Sequence, residues 1–156
     1  LLIIAVLLFM SFNSFKKAAL IIINIPLALV GGIISLYISG ANLSVPASIG
    51  FIALFGIALE NAMVLISYIS ELRDNGNSIN EASTDGALLR LRPVIMTAFT
   101  TAIGLTPLLL SSGTGSEIQK PLAIVVIGGI FTSTLLTLLV LPSLYKWFDD
   151  KKEIVK

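Results

Sequence analysis

A single carboxylate stands inside one of the most apolar stretches of the chain. Glu60 lies near the middle of the run 51–70, and it is the only charged side chain between Lys17 and Glu71. A carboxylate at the centre of a bilayer costs about 2.5–3.5 kcal/mol by insertion scales unless it is protonated, paired or turned towards a cavity. The chemistry that suits such a residue is the reversible uptake and release of a proton.

The residues around Glu60 favour this interpretation. Positions one and two helical turns away on the same face carry small or hydroxyl side chains, namely Ala53, Gly56 and Ser67. Small residues let another helix approach closely, and a hydroxyl group can share the hydrogen bond that a carboxylate needs. We therefore expect Glu60 to point into a helix bundle and away from lipid. The alternative is a structural role, in which a protonated Glu60 holds two helices together.

Composition places the chain among membrane proteins. Hydrophobic residues make up 56% of the sequence and charged residues 12%, and the mean hydropathy is +0.99. Histidine and cysteine are absent, which excludes disulfides, thiolate or imidazole metal sites and nucleophiles built on either residue. The sequence lacks a GxxxxGK[ST] phosphate loop, and its basic residues are too scattered for nucleic-acid binding. We expect an integral membrane protein surrounded by lipid, with no enzyme activity, cofactor or nucleic-acid partner.

Hydropathy divides the chain into five apolar segments. The first, 1–11, has about half of the ~20 residues that a spanning helix needs, so we expect one end of a longer helix and a chain that is a fragment. A re-entrant or core helix is the alternative for this segment. Four full spans are predicted at 18–38, 47–70, 94–110 and 121–145. Pro26, two residues after Asn24, predicts a kink or hinge in the first full span.

A further helix is predicted between the second and third full spans. Ser78 and Glu81 match the pattern of a capping box, and a helix over 79–91 should follow. Apolar residues on one side of this helix predict that it lies along the bilayer surface. Pro93 then suits the first turn of the span 94–110. The last segment, 149–156, is predicted to be a charged cytoplasmic tail.

The basic residues predict the orientation of the spans. Nine of the ten Lys and Arg residues fall on one side of the predicted topology, and Lys120 falls on the other. The nine are Lys16, Lys17, Arg73, Arg90, Arg92, Lys146, Lys151, Lys152 and Lys156. Cytoplasmic loops of membrane proteins carry an excess of Lys and Arg. We therefore expect this side, with the C-terminus, to be cytoplasmic.

The third full span offers hydroxyl groups to Glu60. Thr97, Thr101 and Gly104 share one side of the predicted helix, and we expect that side to face the carboxylate. The alternative is that these hydroxyl groups bond to their own backbone, as Ser and Thr do in many membrane helices.

Three stretches resemble the heavy-metal efflux branch of the resistance-nodulation-division (RND) transporters, a superfamily that also contains multidrug exporters. They are 50–58, 86–97 and 113–129. The resemblance extends over residues 1–148. It implies an all-α integral membrane fold, namely the C-terminal part of the RND helical bundle. This part would comprise half of span eight and spans nine to twelve, with one interfacial cytoplasmic helix, in the bacterial inner membrane.

The resemblance also implies a function. Members of this branch export heavy-metal cations by cation/proton antiport, as homotrimers that join a periplasmic adaptor and an outer-membrane channel. The substrate cation would bind outside this segment. Glu60 is typical of copper-silver pumps, whereas Val94 replaces a lysine of those pumps, so zinc, cobalt or cadmium and copper or silver stay open as substrates. The alternatives are an RND exporter of drugs or other organic solutes and a non-transporting membrane scaffold.

Four residues match functional positions of the family. Glu60 matches a relay residue of the tenth span, and Asn61 follows it as in multidrug exporters. Arg90 and Thr97 match the arginine and threonine that multidrug exporters use beside their proton-carrying aspartates. The resemblance thus implies a proton relay of Glu60, Asn61, Thr97 and Arg90, whose aspartate partner lies outside this segment. The alternatives are a positive-inside anchor for Arg90 and a packing hydroxyl for Thr97.

Overall fold

The computed structural model describes residues 2–148, with the side chains of 3–147, and over that range the chain forms five α-helices. They are α1 (Leu2–Phe12), α2 (Phe15–Ser39), α3 (Val45–Asp74), α4 (Ile79–Leu110) and α5 (Ser116–Phe148). The helices α2 to α5 are long and apolar enough to cross a membrane. The prediction of an all-α membrane bundle is confirmed. The predicted tail 149–156 lies outside the described residues.

Local sequence signals set several of the helix ends. Ser14, Ser44 and Ser78 are the N-caps of α2, α3 and α4, and each side-chain oxygen accepts a hydrogen bond from the backbone N–H three residues on. Ser78 and Glu81 complete the predicted capping box. α2 ends at Gly40, whose left-handed φ of 66° favours glycine, and the Gly40 N–H bonds to carbonyl groups of the last turn.

α5 is the central helix of the bundle and contacts α2, α3 and α4. α2 runs antiparallel to α5, and the two meet through small residues. Gly31 lies against Thr132, Gly128 lies against Ser35, and the Ser35 hydroxyl donates a hydrogen bond of 2.8 Å to the carbonyl oxygen of Ile124. A β-carbon at either glycine would overlap the facing side chain, so the absence of side chains permits this close approach.

α3 runs parallel to α5. The side chain of Leu54 packs on Gly129, and the hydroxyl groups of Ser70 and Tyr145 lie 3.2 Å apart. Gly129 follows Leu54 in the sequence by the same number of positions as Tyr145 follows Ser70. The two helices therefore keep one register over at least four turns.

α4 is antiparallel to both α3 and α5. Gly86, near its start, packs on Ile69, near the end of α3. Further along α4, the rings of Phe99 and Phe131 meet edge to face, with their centres 5.7 Å apart.

The structure corrects the prediction of a separate interfacial helix over 79–91. α4 is one continuous helix from Ile79 to Leu110 with Pro93 inside it, and not at the start of a new span. Proline removes one backbone hydrogen bond, but a membrane helix can continue through it. The first turns of α4 keep the direction of the bundle because Gly86 packs on α3. With 32 residues, α4 is about 48 Å long, so its charged first turns extend beyond an apolar layer of about 30 Å.

Two apolar clusters form the core, one towards each end of the bundle. One cluster includes Ile21, Leu65, Ile66, Ile69 and Leu141. The other includes Ala28, Phe51, Leu54, Ala58 and Val125. Asn24 and Thr137 occupy the layer between the clusters, and both side chains are fully buried.

Candidate proton-relay site

Glu60 lies on the outer face of α3. The buried face of this helix contains Leu54, Ala58 and Ala62. A residue two positions after Ala58 is turned from it by about 200° around the helix, and the Glu60 side chain is exposed. The prediction that Glu60 points into the bundle is therefore wrong for the described residues. The small and apolar residues on the opposite face of α3 pack against α2 and α5 instead.

Glu60 belongs to a stripe of exposed residues along one side of α3, most of which are small or polar. Ala53, Gly56, Met63 and Ser67 are also exposed and follow at spacings of three or four residues. We call these five residues the Glu60 stripe. A β-carbon at Gly56 would meet no other atom within 4 Å. Small residues are typical of helix–helix contacts in membranes, so the composition of the stripe fits contact with another protein segment.

α4 carries a second stripe of small and hydroxyl-bearing residues, all of them exposed. Its members are Pro93, Thr97, Thr100, Gly104 and Pro107. Large apolar side chains that are also exposed, such as Met96, Phe99 and Ile103, lie on a side of α4 turned by about 90° from this stripe. α4 thus presents one side suited to lipid and another suited to polar or close protein contact.

Thr97 and Glu60 lie at the same height in the bundle. The Cζ atom of Arg90 lies 5.4 Å from the centre of the Tyr68 ring on α3. Because α3 and α4 are antiparallel, Thr97, two turns after Arg90, is level with residues about two turns before Tyr68, near Glu60 and Asn61.

The hydroxyl group of Thr97 is engaged by its own helix. Its Oγ1 donates a hydrogen bond of 3.0 Å to the carbonyl oxygen of Pro93. This is the backbone bond that the sequence left open as an alternative. The side chain is nonetheless exposed, and a hydroxyl group that donates still has lone pairs that can accept.

Arg90 lines a groove where the Glu60 stripe reaches the end of α3. The groove has a volume of about 510 Å³, and its walls include Met63 and Ser67 of the stripe together with Glu71 and Asp74. The half-buried Arg90 side chain brings a positive charge to a wall that already carries two carboxylates. The groove is therefore a polar surface continuous with the side of α3 that bears Glu60.

Asn61 lies between the buried and exposed faces of α3. Its Nδ2 atom is buried and has no hydrogen-bond partner among the described residues. Over residues 2–148, no hydrogen bond or ion pair joins any two of Glu60, Asn61, Arg90 and Thr97. The same part of the chain contains no group of three or more His, Cys, Asp or Glu side chains that could hold a metal ion.

A buried polar junction that was not predicted from the sequence contacts α3 near Glu60, on the opposite side of the helix. The Nδ2 atom of Asn24 donates hydrogen bonds to Thr137 Oγ1 at 2.8 Å and to the carbonyl oxygen of Ala58 at 3.2 Å. The Thr137 hydroxyl lies 3.1 Å from Asn24 Oδ1 and donates to it. A lone asparagine in an apolar span was the available signal. Its partners lie 34 and 113 positions away in the sequence, so only the packing identifies them.

Comparison with known proteins identifies the family. Residues 1–149 match the model of the AcrB/AcrD/AcrF family. The cobalt-zinc-cadmium resistance protein CzcA of Cupriavidus metallidurans is 51% identical over 153 residues, which cover 98% of this chain and 14% of that protein. The nickel-cobalt-cadmium resistance protein NccA of Alcaligenes xylosoxydans xylosoxydans is 46% identical over 140 residues, covering 90% of this chain and 13% of that protein.

A solved structure supports the same assignment. The X-ray crystal structure of a heavy metal efflux pump (crystal form II) superposes with a TM-score of 0.84 and 44% sequence identity. The match covers 94% of this chain and 15% of that one. The chain thus spans about one seventh of the length of its relatives. It belongs to the AcrB/AcrD/AcrF family of RND transporters, within the branch that contains heavy-metal efflux proteins.

Proposed function

We propose that this chain forms part of the membrane domain of a proton-driven exporter of heavy-metal cations. The observation that carries the proposal is the Glu60 stripe, where one carboxylate lies with Ala53, Gly56 and Ser67 on the exposed side of α3 and Met63 is the one large apolar member. Large apolar side chains would suit contact with lipid, whereas this surface suits contact with protein. The relatives named for resistance to cobalt, zinc, cadmium and nickel favour metal cations over organic solutes.

In this proposal another segment of the transporter covers the Glu60 stripe. Glu60 then becomes enclosed between helices, away from bulk water. A partner carboxylate on the covering segment exchanges the proton with Glu60. Loss of the proton changes the local charge by one unit, which biases the packing of α3 against the covering helices.

Thr97 and Arg90 lie on the same face of α4, at two different heights in the bundle, and each has its own role. Thr97, level with Glu60, offers its oxygen lone pairs or redirects its hydrogen from Pro93 to the carboxylate. Arg90 lies about two turns nearer the charged end of the bundle, where the groove with Glu71 and Asp74 begins. The guanidinium offsets part of the negative charge of the two carboxylates in that groove, so Arg90 would affect the rate at which protons leave the relay.

The remaining elements of the proposal concern the whole transporter. The cation/proton antiport takes place in the bacterial inner membrane, with the C-terminus in the cytoplasm, because the basic residues collect on that side. The pump is a homotrimer that joins a periplasmic adaptor and an outer-membrane channel, and the metal cation binds outside the segment described here. These statements rest on the family and on the charge distribution.

The test is proton movement driven by metal in vesicles that contain the intact transporter. Zinc, cobalt, cadmium, nickel, copper and silver are added in turn to the native protein and to the Glu60→Gln variant at equal abundance. We expect at least one metal to drive proton movement in the native protein and Glu60→Gln to abolish it. Glu117→Gln is the matched control, because the same change then falls on an exposed residue at the start of α5.

Two results would contradict the proposal. Normal transport by Glu60→Gln would make Glu60 a structural hydrogen-bonding residue. If no metal drives proton movement in the native protein while an organic dye does, the protein is an exporter of organic solutes. If neither does, the scaffold alternative remains.

A further inference from the structure

The buried junction of Asn24, Thr137 and the Ala58 carbonyl ties three helices together. Asn24 belongs to α2, Thr137 to α5 and Ala58 to α3. Both N–H groups of the Asn24 amide are used, one towards Thr137 Oγ1 at 2.8 Å and one towards the Ala58 oxygen at 3.2 Å. The Asn24 oxygen accepts from the Thr137 hydroxyl at 3.1 Å. The junction is therefore satisfied in the bundle interior, where Asn24 and Thr137 are fully buried.

The junction contacts α3 at the turn that carries Glu60. Ala58 precedes Glu60 by two residues, so Glu60 projects from α3 about 200° away from Ala58. As long as the Ala58 side of α3 faces Asn24, Glu60 faces away from α2 and α5. A rotation of α3 by one residue, about 100°, would break the bond to the Ala58 carbonyl and turn the whole Glu60 stripe by the same angle.

Apolar packing fixes the rotation of a helix about its own axis less strongly in a membrane than in water. Lipid tails are as apolar as leucine, so rotating an apolar helix exchanges one apolar contact for another, whereas hydrogen bonds between helices have a preferred geometry. Asn24 and Thr137 lie between the two apolar clusters of the core, where Ala58 and Ala62 give the buried face of α3 only small side chains. The amide of Asn24 is the polar contact that specifies the rotation of α3 at this height.

We propose that Asn24 and Thr137 are positioning residues for Glu60, because their junction with the Ala58 carbonyl holds α3 in the rotation and register that present the carboxylate to its proton partner. This inference rests on the proposed role of Glu60 in proton transfer. Neither residue touches Glu60, so their effect reaches it through the backbone of α3.

The ionisable groups nearest to this layer are few. Along α3, Tyr68 and Glu71 are the closest to Glu60, and along α4 the closest are Arg90 and Arg92. The described parts of α2 and α5 that flank the junction, 18–36 and 121–144, contain no ionisable side chain. A change in the pH dependence of transport caused by a substitution at the junction would therefore report on the proton exchange between Glu60 and its partner carboxylate.

The first experiment measures metal-driven proton flux against pH in the intact transporter. Asn24→Leu and Thr137→Val remove the junction with little change of volume, and Thr137→Ser keeps the hydroxyl group. We expect the first two variants to shift the midpoint of the pH profile by about half a unit or more, and Thr137→Ser to restore it. Ser143→Ala is the matched control on α5, because the exposed Ser143 hydroxyl bonds only to the Leu139 carbonyl of its own helix.

A shift of the profile that Ser143→Ala does not cause supports the inference. Unchanged profiles in Asn24→Leu and Thr137→Val, with a loss of abundance alone, would overturn it. The inference would also be overturned if the pH profile of Thr137→Ser were the same as the profile of Thr137→Val.

The second experiment measures the position of α3 without any transport. A β-carbon at Gly129 would lie 3.0 Å from Leu54 Cγ, the place that a sulfur atom of Leu54→Cys would occupy. This distance suits a disulfide, and the chain has no cysteine of its own. We expect Leu54→Cys/Gly129→Cys to cross-link rapidly under mild oxidation, and Asn24→Leu to slow the cross-link several-fold.

The two experiments separate the inference from the proposed function. If Glu60→Gln transports normally but Asn24→Leu slows the cross-link, the junction positions α3 and the relay role of Glu60 fails. If the cross-link forms at the same rate with and without Asn24→Leu, the positioning inference fails, whatever the role of Glu60.

Discussion

Adding one methyl group at Gly31 should loosen the seam between α2 and α5. A β-carbon at Gly31 would overlap Thr132 Oγ1 and would lie 2.5 Å from Thr132 Cβ and 3.0 Å from the Gly128 carbonyl oxygen. Rotation of the threonine side chain cannot relieve this, because its β-carbon is itself too close. Carbon atoms in contact prefer about 3.5–4.0 Å, so α2 and α5 must separate by about 1 Å.

The cost of this separation can be estimated from the packing. Overpacking of this kind costs about 1–3 kcal/mol. Alanine is a better helix former than glycine by up to about 1 kcal/mol, which offsets part of the loss. We therefore expect Gly31→Ala to reduce the stability of the bundle by about 1–2 kcal/mol. The separation would also stretch the Asn24–Thr137 bonds, which cross the same seam two turns away.

The assay is the fraction of detergent-solubilised protein that remains monodisperse after heating at a series of temperatures. Gly31→Ala should lower the midpoint temperature by several degrees. Thr132→Gly removes the two closest of the three atoms that the new methyl group would meet, so Gly31→Ala should cost much less in the Thr132→Gly background than in the native protein. Equal stability of Gly31→Ala and the native protein, or an equal loss in both backgrounds, would refute the argument that this contact controls the helix separation.

Substitutions at Thr97 and at Arg90 test two further contacts of the candidate site. Thr97→Val should lower metal-driven proton flux by about tenfold or more, because a hydrogen bond to a charged group contributes about 1.5–3 kcal/mol, whereas Thr97→Ser should retain most of the flux; equal flux in both variants would make Thr97 a packing residue. Arg90→Lys should cost about 0.5–1 kcal/mol of thermal stability by loss of stacking on Tyr68. Tyr68→Leu should then add little to Arg90→Lys, and full additivity of the two losses would show that the contact contributes nothing.

Much of the fold follows from local features of the sequence. Long runs of apolar residues predict membrane-spanning helices, because a backbone surrounded by lipid must satisfy its own hydrogen bonds. Capping residues such as Ser78 with Glu81 mark the start of a helix. The sequence did not predict that α4 continues through Pro93, because proline is common both at helix starts and inside membrane helices. Gly86 decides between these options by packing on Ile69, a contact that the sequence pattern does not reveal.

The candidate site was only partly accessible to sequence reasoning. The cost of a charge in an apolar span singles out Glu60 without any knowledge of its neighbours. The set of residues one and two turns away, Ala53, Gly56 and Ser67, also follows from helix periodicity. Periodicity does not say whether that face is turned inwards or outwards, and the inward prediction was wrong for the described residues.

The sequence by itself determined the class of the protein, its spans and the position of one carboxylate near the middle of a membrane helix, because these depend on the hydropathy and charge of neighbouring residues. The tertiary structure decided which way α3 is turned and what holds it there. Leu54 packs on Gly129, and Asn24 bridges Thr137 and the Ala58 carbonyl. Such contacts join residues that are distant in the sequence, and one helix alone has no preferred rotation about its axis until other helices pack against it.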